Sequence, residues 1–318
     1  MRHSNIRPIR YSSRRVSWQF NHGYVTCWRV KIRAPAKINL SLRVVGRRAD
    51  GYHLLDTIMV PVSLYDDLDI RKLRRTTKTN KPALPEIKVT CDHPLVPDDE
   101  NNLAHRAARL LLARAKSDQP IEIRIHKRIP VGAGLGGGSS DAAATLVGLN
   151  RLLKLRLSEK QLERLALRLG ADVPFFIRGR PARARGIGER LTPLGRIFRP
   201  WIVIVFPGFP VSTAWVYVNL PRKLTKHRVN TSIAASPTAF DNFAALLVND
   251  LESVTIKRYR KIVAIKQRLL RLGAVGSLMS GSGSSVFGLF RSKRKAEEAF
   301  HRLRQEEEVQ AFLVRVLN

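Results

Sequence analysis

The sequence predicts an α+β fold in which antiparallel strands and helices share more than one layer. Three observations carry this expectation. Apolar residues alternate with polar ones at a period of two across residues 30–42 and again across 121–129, as they do in strands with one buried face. Residues 102–115 and 141–153 instead space Leu and Ala as a helix does. Strand-like and helix-like stretches then keep alternating to the C-terminus, which implies a second α+β layer. With 318 residues and 44% hydrophobic content, the chain accommodates one large domain or two ordinary ones.

Residues 1–30 carry Arg2, Arg7, Arg10, Arg14, Arg15 and Arg29, several serines and no acid; the first acidic residue of the chain is Asp50. This reads as a basic, disordered extension, although a transit peptide or an upstream start codon gives the same composition. From Val30 the pattern becomes globular. Val30, Ile32 and Ala34 alternate with Lys31 and Arg33, then Ile38, Leu40 and Leu42 with Asn39, Ser41 and Arg43, predicting half-buried antiparallel strands. Residues 71–85 are polar and basic with prolines and read as a loop to which no role attaches. Ile121, Ile123, Ile125 and Ile129 mark a strand whose other face is Glu122, Arg124 and His126.

A glycine-rich loop follows and opens into a helix over 141–153, expected to be capped by Ser139 or Ser140. Ser158 and Gln161 form a capping-box pattern for a helix ending at Gly170. Beyond residue 190 the expected elements are a strand at Trp201–Phe206, helices near 241–251 and 256–272, a glycine-rich hairpin at 280–283, a helix at 296–304 and a strand at 311–316. The expected division is the extension, a domain over 31–190 and a domain over 191–318.

Composition limits the function classes. The longest apolar run, Trp201–Phe206, is far short of the roughly 20 residues a spanning helix needs, so no membrane partner is expected. Cys27 and Cys91 are the only cysteines, far apart and outside any zinc-spaced cluster, which supports neither a disulfide framework nor a structural metal and fits a cytoplasmic location. The formal charge of +32, from 57 Lys+Arg against 25 Asp+Glu, attracts polyanions and keeps nucleic-acid binding as an alternative. Against that alternative, the basic residues are dispersed and no nucleic-acid-binding signature accompanies them.

The chemistry concentrates in Pro130, Val131, Gly132, Ala133, Gly134, Leu135, Gly136, Gly137, Gly138, Ser139 and Ser140. Five glycines and two serines at a helix start present unblocked amides beside the positive end of a helix dipole, which makes an anion site. The serines add hydroxyl donors or a magnesium ligand. Gly132-x-Gly134-x-x-Gly137 also spells a dinucleotide fingerprint, but the strand before it alternates with charged residues instead of being apolar throughout. No Gly-Lys-Ser/Thr follows, so the loop is not a Walker A.

These eleven residues resemble the ATP loop of the GHMP kinases, the superfamily of galactokinase, homoserine kinase, mevalonate kinase and phosphomevalonate kinase. Three further blocks occur in the family's order: Ala34-Pro-Ala-Lys-Ile-Asn-Leu40, Gly170-Ala-Asp-Val-Pro-Phe175 and Leu278-Met-Ser-Gly-Ser-Gly-Ser-Ser285. Arg48-Ala-Asp-Gly-Tyr-His53 and Gly186-Ile-Gly-Glu189 are similar to the branch that phosphorylates diphosphocytidyl-methylerythritol. The resemblance spans residues 33–316. It implies a two-domain GHMP kinase fold, with an ATP-binding N-terminal domain like the second domain of ribosomal protein S5 and a ferredoxin-like C-terminal domain. It also implies ATP and Mg2+ as cofactors and a small-molecule alcohol, phosphorylated on its 2-hydroxyl, as the partner. Another GHMP kinase of homoserine or mevalonate type would share the loop but is not expected to carry the Gly51-Tyr-His53 and Gly-Ala-Asp-Val-Pro blocks together.

Alcohol phosphorylation requires a group that takes the hydroxyl proton and a cation for the transferred phosphoryl group. Asp172, in a short turn before Val173 and Pro174, is the expected base; by pattern alone a turn-forming Asp is as good a reading, and the resemblance decides between them. Lys37 taken singly reads as a solvated strand residue. Within its block it becomes the cation that holds Asp172 ionised, orients the acceptor oxygen and stabilises the transition state. The resemblance further implies that Tyr52 stacks on a cytosine, His53 binds the base edge and Asn39 reaches the erythritol hydroxyls. Otherwise Tyr52 is a core residue and His53 a surface one. Asp250 is expected to support the site, and Asp141 carries little information because Asn or Asp occupies its place in relatives.

Overall fold

The computed structural model describes residues 29–74, 85–195, 197–221 and 244–318, and the backbone of 11–12, 16–18 and 25–27. Most of the expected N-terminal extension, residues 75–84 of the basic loop and the start of the helix expected near 241 lie outside the described residues. Within the extension the chain forms three short strands, β1 (Tyr11–Ser12), β2 (Val16–Trp18) and β3 (Val25–Cys27). β2 pairs antiparallel with β3, and β1 with β4 (Arg29–Arg47).

The described chain forms two compact units that interleave along the sequence. The first holds residues up to Pro35, then 65–129 and 137–179; the second holds 36–64, 130–136 and 180–318. Two long strands, β4 and β5 (His53–Lys72), therefore each give one part to each unit.

In the first unit the sheet runs β4-β5-β7-β6, with β6 at Ile87–Cys91 and β7 at Ile121–His126. β7 is antiparallel to β5 and parallel to β6. A parallel pair needs a crossover, and α1 (Leu103–Arg114) supplies it, capped by Asn102 through a 2.8 Å bond from the Ala104 amide. The expected wet face of β7 is only partly wet: Glu122 is buried, ion-paired with Arg71 and, at 3.3 Å, with Arg124. Helix α2 (Gly137–Leu152) lies against this sheet at Gly148, where a Cβ would come within 2.6 Å of Ile70 Cδ1. α3 (Glu159–Leu167) carries the expected capping box of Ser158 and Gln161. α4 (Val173–Arg178) ends on left-handed Gly179, and Arg178 grips Glu163 of α3 with bonds of 2.5 and 3.0 Å.

The second unit holds the rest of β4 and β5, the β8 (Ala182–Gly186) and β9 (Arg190–Pro193) hairpin, and a separate antiparallel sheet. That sheet is ordered β12 (Gly276–Met279), β13 (Val286–Phe290), β10 (Trp201–Phe206), β14 (Gln310–Arg315). β10 is an inner strand buried on both faces, which is why its sequence is continuously apolar. Among the described residues its helices are α5 (Thr213–Val218), α6 (Glu252–Arg258), α7 (Arg260–Arg271) and α8 (Lys293–Arg304). The β10, α7, β12, β13, α8, β14 succession is the βαββαβ arrangement of a ferredoxin-like domain. Its core gathers Val203, Val205, Ile262, Ile265, Leu269 and Phe290.

Four sequence expectations change in the structure. In the described part of the helix expected near 241–251, only 244–245 are helical and Val248–Asn249 form a strand. The helix expected over 256–272 is broken at Tyr259, whose backbone is non-helical and whose ring stacks on Phe209 at 4.9 Å. The helix expected from Asp141 begins at Gly137, so Ser139 and Ser140 stand inside its first turn and cap nothing. The half-buried pattern of β4 stops at Arg33: residues 34–42 are buried on both faces, Lys37, Asn39 and Ser41 included. In that stretch β4 is flanked by β5 and by β11 (Val248–Asn249), which pairs parallel with Ser41 and Leu42. Among the described residues no helix is long and apolar enough to cross a membrane.

Candidate active site

The glycine run divides between the units, Pro130–Gly136 in the second and Gly137 onward in the first. In the second unit four successive carbonyls are turned inward. Gly132 O accepts from the Val211 amide at 3.0 Å, Ala133 O from the Ser285 amide at 3.1 Å and Leu135 O from the Lys37 amide at 2.9 Å, while Gly134 O accepts from Ser280 Oγ at 3.0 Å. Gly132, Gly134 and Gly136 alternate in the left-handed region at φ +65°, +75° and +74°. Carbonyls that repel phosphate are thereby occupied, and the opposite, amide side of the loop is left for an anion.

Gly134 is fixed by contact as well as by φ: a Cβ there would stand 2.1 Å from the Ser280 carbonyl oxygen and 3.0 Å from that of Gly283. Gly134→Ala is expected to destabilise the protein by about 3 kcal/mol, from left-handed strain plus backbone overlap. A denaturant titration checks this, and a change under about 1 kcal/mol would mean that the loop relaxes freely.

In the first unit α2 starts without a side-chain cap, so its first-turn amides and its positive end are available to an anion. The two serines differ. Ser140 is buried and donates its hydroxyl to Pro35 O at 2.7 Å, whereas Ser139 is half-buried.

Beneath this turn Lys127 bridges two buried carboxylates, Asp66 at 2.5 Å and Asp141 at 2.9 Å. Asp66 also takes the amides of Arg128 and Ile129 at 2.6 and 2.8 Å, while Asp141 Oδ1 is buried with no hydrogen-bond partner. Burial pushes the Asp141 carboxyl up from 3.8 to about 7, opposed by Lys127 and reinforced by Asp66. Between pH 4 and 7 the folded chain keeps a proton that the unfolded chain has lost, so this group's contribution to stability declines as pH rises through that window. Asp141→Asn should therefore gain stability relative to wild type between pH 5 and 8, by on the order of 1 to 3 kcal/mol at pH 8. Thermal unfolding of both proteins across the window tests this, and a difference that does not grow with pH would refute it.

Lys37 is 5% exposed, so the solvated-strand reading fails; its Nζ donates to Asn39 Oδ1 at 2.6 Å. Asn39 Nδ2 donates to Thr57 Oγ1 at 2.8 Å. Beside Thr57, buried Asp56 is held by Arg183 through two bonds of 2.7 and 2.6 Å. Asn249 Nδ2 donates to the carbonyls of Met279 and Gly281 at 2.8 Å, and Asp250 accepts from the Val44 amide at 2.8 Å and from Arg43 at 3.3 Å. The segment from Asn249 to Asp250 thus joins β4 to the C-terminal glycine turn, a supporting position for Asp250.

Tyr52 is 60% exposed at the end of a turn whose Gly51 has φ +91°, so it is not a core residue. His53 stacks on Tyr217 with ring centroids 5.3 Å apart and 24° between planes. Burial, and then the charge of Arg47, holds its imidazole below the usual 6.5, which keeps it neutral at pH 7 with one donor and one acceptor nitrogen. In the first unit Asp172 occupies the N-cap position of α4, yet its side chain makes no capping bond. Pro174 in the first turn and the Arg178–Glu163 fork make that mount rigid.

Sequence reasoning passed over Thr57, Ser280, Asn249 and Tyr217 as individual residues. Ser280 lies inside a recognised glycine block and Asn249 beside Asp250, so both were within reach. Nothing local marks Thr57 or Tyr217.

Comparison with known proteins gives the family. The GHMP kinases N terminal domain matches residues 102–180 and the GHMP kinases C terminal domain matches residues 235–309, of which 235–243 lie outside the described residues. The chain is 49% identical over 271 residues to the 4-diphosphocytidyl-2-C-methyl-D-erythritol kinase of Geobacter sp. (strain M21), covering 85% of this chain and 93% of that protein. It is 50% identical over 279 residues to the protein of the same name from Geobacter sulfurreducens, covering 87% and 95%. A crystal structure of 4-(cytidine 5'-diphospho)-2C-methyl-D-erythritol kinase superposes with a TM-score of 0.75 at 36% identity, over 91% of this chain and 99% of that one. Methanococcus jannaschii mevalonate kinase, at TM-score 0.67 and 16% identity over 91% and 98%, shares the fold. With this fold, this loop and these relatives, the chain belongs to the GHMP kinases, ATP-dependent enzymes, and within them to the family of the 4-diphosphocytidyl-2-C-methyl-D-erythritol kinases.

Proposed function

We propose that this protein transfers the γ-phosphoryl group of ATP to the 2-hydroxyl of 4-diphosphocytidyl-2-C-methyl-D-erythritol, a step in making isoprenoid precursors without mevalonate. The observation that carries the reading is identity of 49% and 50%, over nearly the full length of relatives bearing that name. The exposed Tyr52 and the neutral, stacked His53 fit it, because a flat ring and a donor–acceptor pair are what a cytosine needs.

In this reading the 2-hydroxyl oxygen attacks the γ-phosphorus as its proton passes to the Asp172 carboxylate. The bond from that phosphorus to the bridging oxygen breaks, and ADP leaves. Lys37 supplies the positive charge that lowers the cost of the developing negative charge. Asn39 orders the acceptor, and the inward-turned carbonyls of residues 132–135 leave amides for the nucleotide phosphates. Among the described residues no cluster of three His, Cys, Asp or Glu is set to hold a metal. The donors present fit an Mg2+ that arrives with the nucleotide phosphates and takes the Ser139 hydroxyl. Bound there, it would supply charge neutralisation on the phosphates. Cys91 is a free thiol, in keeping with a cytoplasmic site of action.

The test is an ADP-release assay with ATP, Mg2+ and diphosphocytidyl-methylerythritol, run beside mevalonate and homoserine. Turnover with the cytidyl alcohol alone is expected. Turnover with another alcohol would keep the fold and remove the substrate. No turnover, with salt-sensitive retention on DNA, would favour the nucleic-acid reading of the +32 charge.

A further inference from the structure

The second unit carries a one-way chain of hydrogen bonds behind Lys37. Lys37 Nζ donates to Asn39 Oδ1 at 2.6 Å, Asn39 Nδ2 donates to Thr57 Oγ1 at 2.8 Å, and Thr57 Oγ1 donates to the Ser41 carbonyl at 2.6 Å. Its direction is set from both ends. An ammonium can only donate, so the Asn39 atom facing Lys37 must be the carbonyl oxygen. A backbone carbonyl can only accept, so the single Thr57 hydrogen is committed to Ser41. The Thr57 oxygen can then only accept, and the Asn39 atom facing it must be the NH2 group. Asn39 and Thr57 are each 2% exposed, so water does not substitute for either partner.

We infer that Thr57 is a positioning residue for phosphoryl transfer: its hydroxyl anchors the NH2 end of the Asn39 amide, and through it the place of the Lys37 ammonium. This inference rests on the proposed roles of Lys37 and Asn39. Without the Thr57 hydroxyl the ammonium still selects the Oδ1 end of the Asn39 amide, but the NH2 end loses its buried acceptor. The side chain is then held at one end only, and the cation it holds shifts with it. Displacement of a catalytic group by a fraction of an ångström to an ångström lowers turnover far more than ground-state binding. The neighbouring Asp56–Arg183 pair keeps β5 against β8, so the strand holds its place when Thr57 changes.

Thr57→Val removes the hydroxyl and keeps the branched shape; Thr57→Ser keeps the hydroxyl. Thr57→Val is expected to lower kcat about 10- to 100-fold, with the KM for ATP changed by less than about twofold and recovery in Thr57→Ser. In an Asn39→Ala background the same substitution should change kcat by less than about twofold, since the residue through which it acts is gone. A purely structural role would instead slow both backgrounds alike and would overturn the inference.

A second readout needs no substrate. In chains labelled with 15N at asparagine, the side-chain NH2 pair that disappears in Asn39→Ala should exchange slowly with D2O in wild type and Thr57→Ser, and fast in Thr57→Val. Unchanged exchange in Thr57→Val overturns the inference whatever the kinetics do. If the wild-type chain turns over no alcohol, the functional reading fails, and the exchange result still decides whether Thr57 sets the Asn39 amide.

Discussion

Asp172→Asn is expected to lower kcat about a thousandfold, within the range that a positioned general base contributes, while the KM for ATP stays within about twofold of wild type. The substitution keeps the shape of the side chain and removes its ability to take the proton of the acceptor hydroxyl. Asp172 does not cap α4, so helix stability does not hang on its charge. Thermal unfolding measured beside kcat separates lost turnover from lost stability. A variant that kept more than about a tenth of the wild-type kcat in the ADP-release assay would remove Asp172 from the role of base, since even weak general bases contribute more than that.

Lys37→Met is expected to lower kcat about a hundredfold to a thousandfold by removing the positive charge from the site of developing negative charge. The methionine chain has nearly the length of the lysine stem and fills the same buried space on β4. The hydrogen bond to Asn39, worth about 1 kcal/mol, is lost, and relief from burying an ammonium opposes that loss. Lys37→Arg should fail almost as badly, because a planar guanidinium does not fit where a compact ammonium at 5% exposure sits. Measured kcat for both variants, beside their denaturation midpoints, separates chemistry from folding. Full activity in Lys37→Arg would show that charge alone suffices, without the position that Asn39 gives it.

The strand at Trp201–Phe206, the strand read over 121–129, the helix over 102–115, the α3 cap and the turn at 280–283 were legible because each is set by residues within a few positions of one another. The same locality explains the misses. The start of α2 at Gly137 was read four residues late, since glycine carries no helical signal, and the helix over 256–272 gave no local sign of the break at Tyr259, where the ring stacks on Phe209 from a distant part of the chain. The alternation on β4 correctly marked a strand but misjudged its exposure. Lys37, Asn39 and Ser41 look solvated by period, yet all are buried.

By itself the sequence determined the α+β class and marked the glycine-rich loop as a candidate anion site, through local periodicity and turn chemistry. Lys37 and Asp172 were singled out by the resemblance of their short blocks to the GHMP kinases. Only the tertiary structure decided how those residues are held: the inward turn of the loop's carbonyls, the Lys127 bridge between Asp66 and Asp141, and the Lys37, Asn39, Thr57 chain. Each of these joins groups from separate segments, and burying a polar group is tolerable only when such a partner arrives. Strand register and helix packing bring the partners together, and they belong to the whole chain.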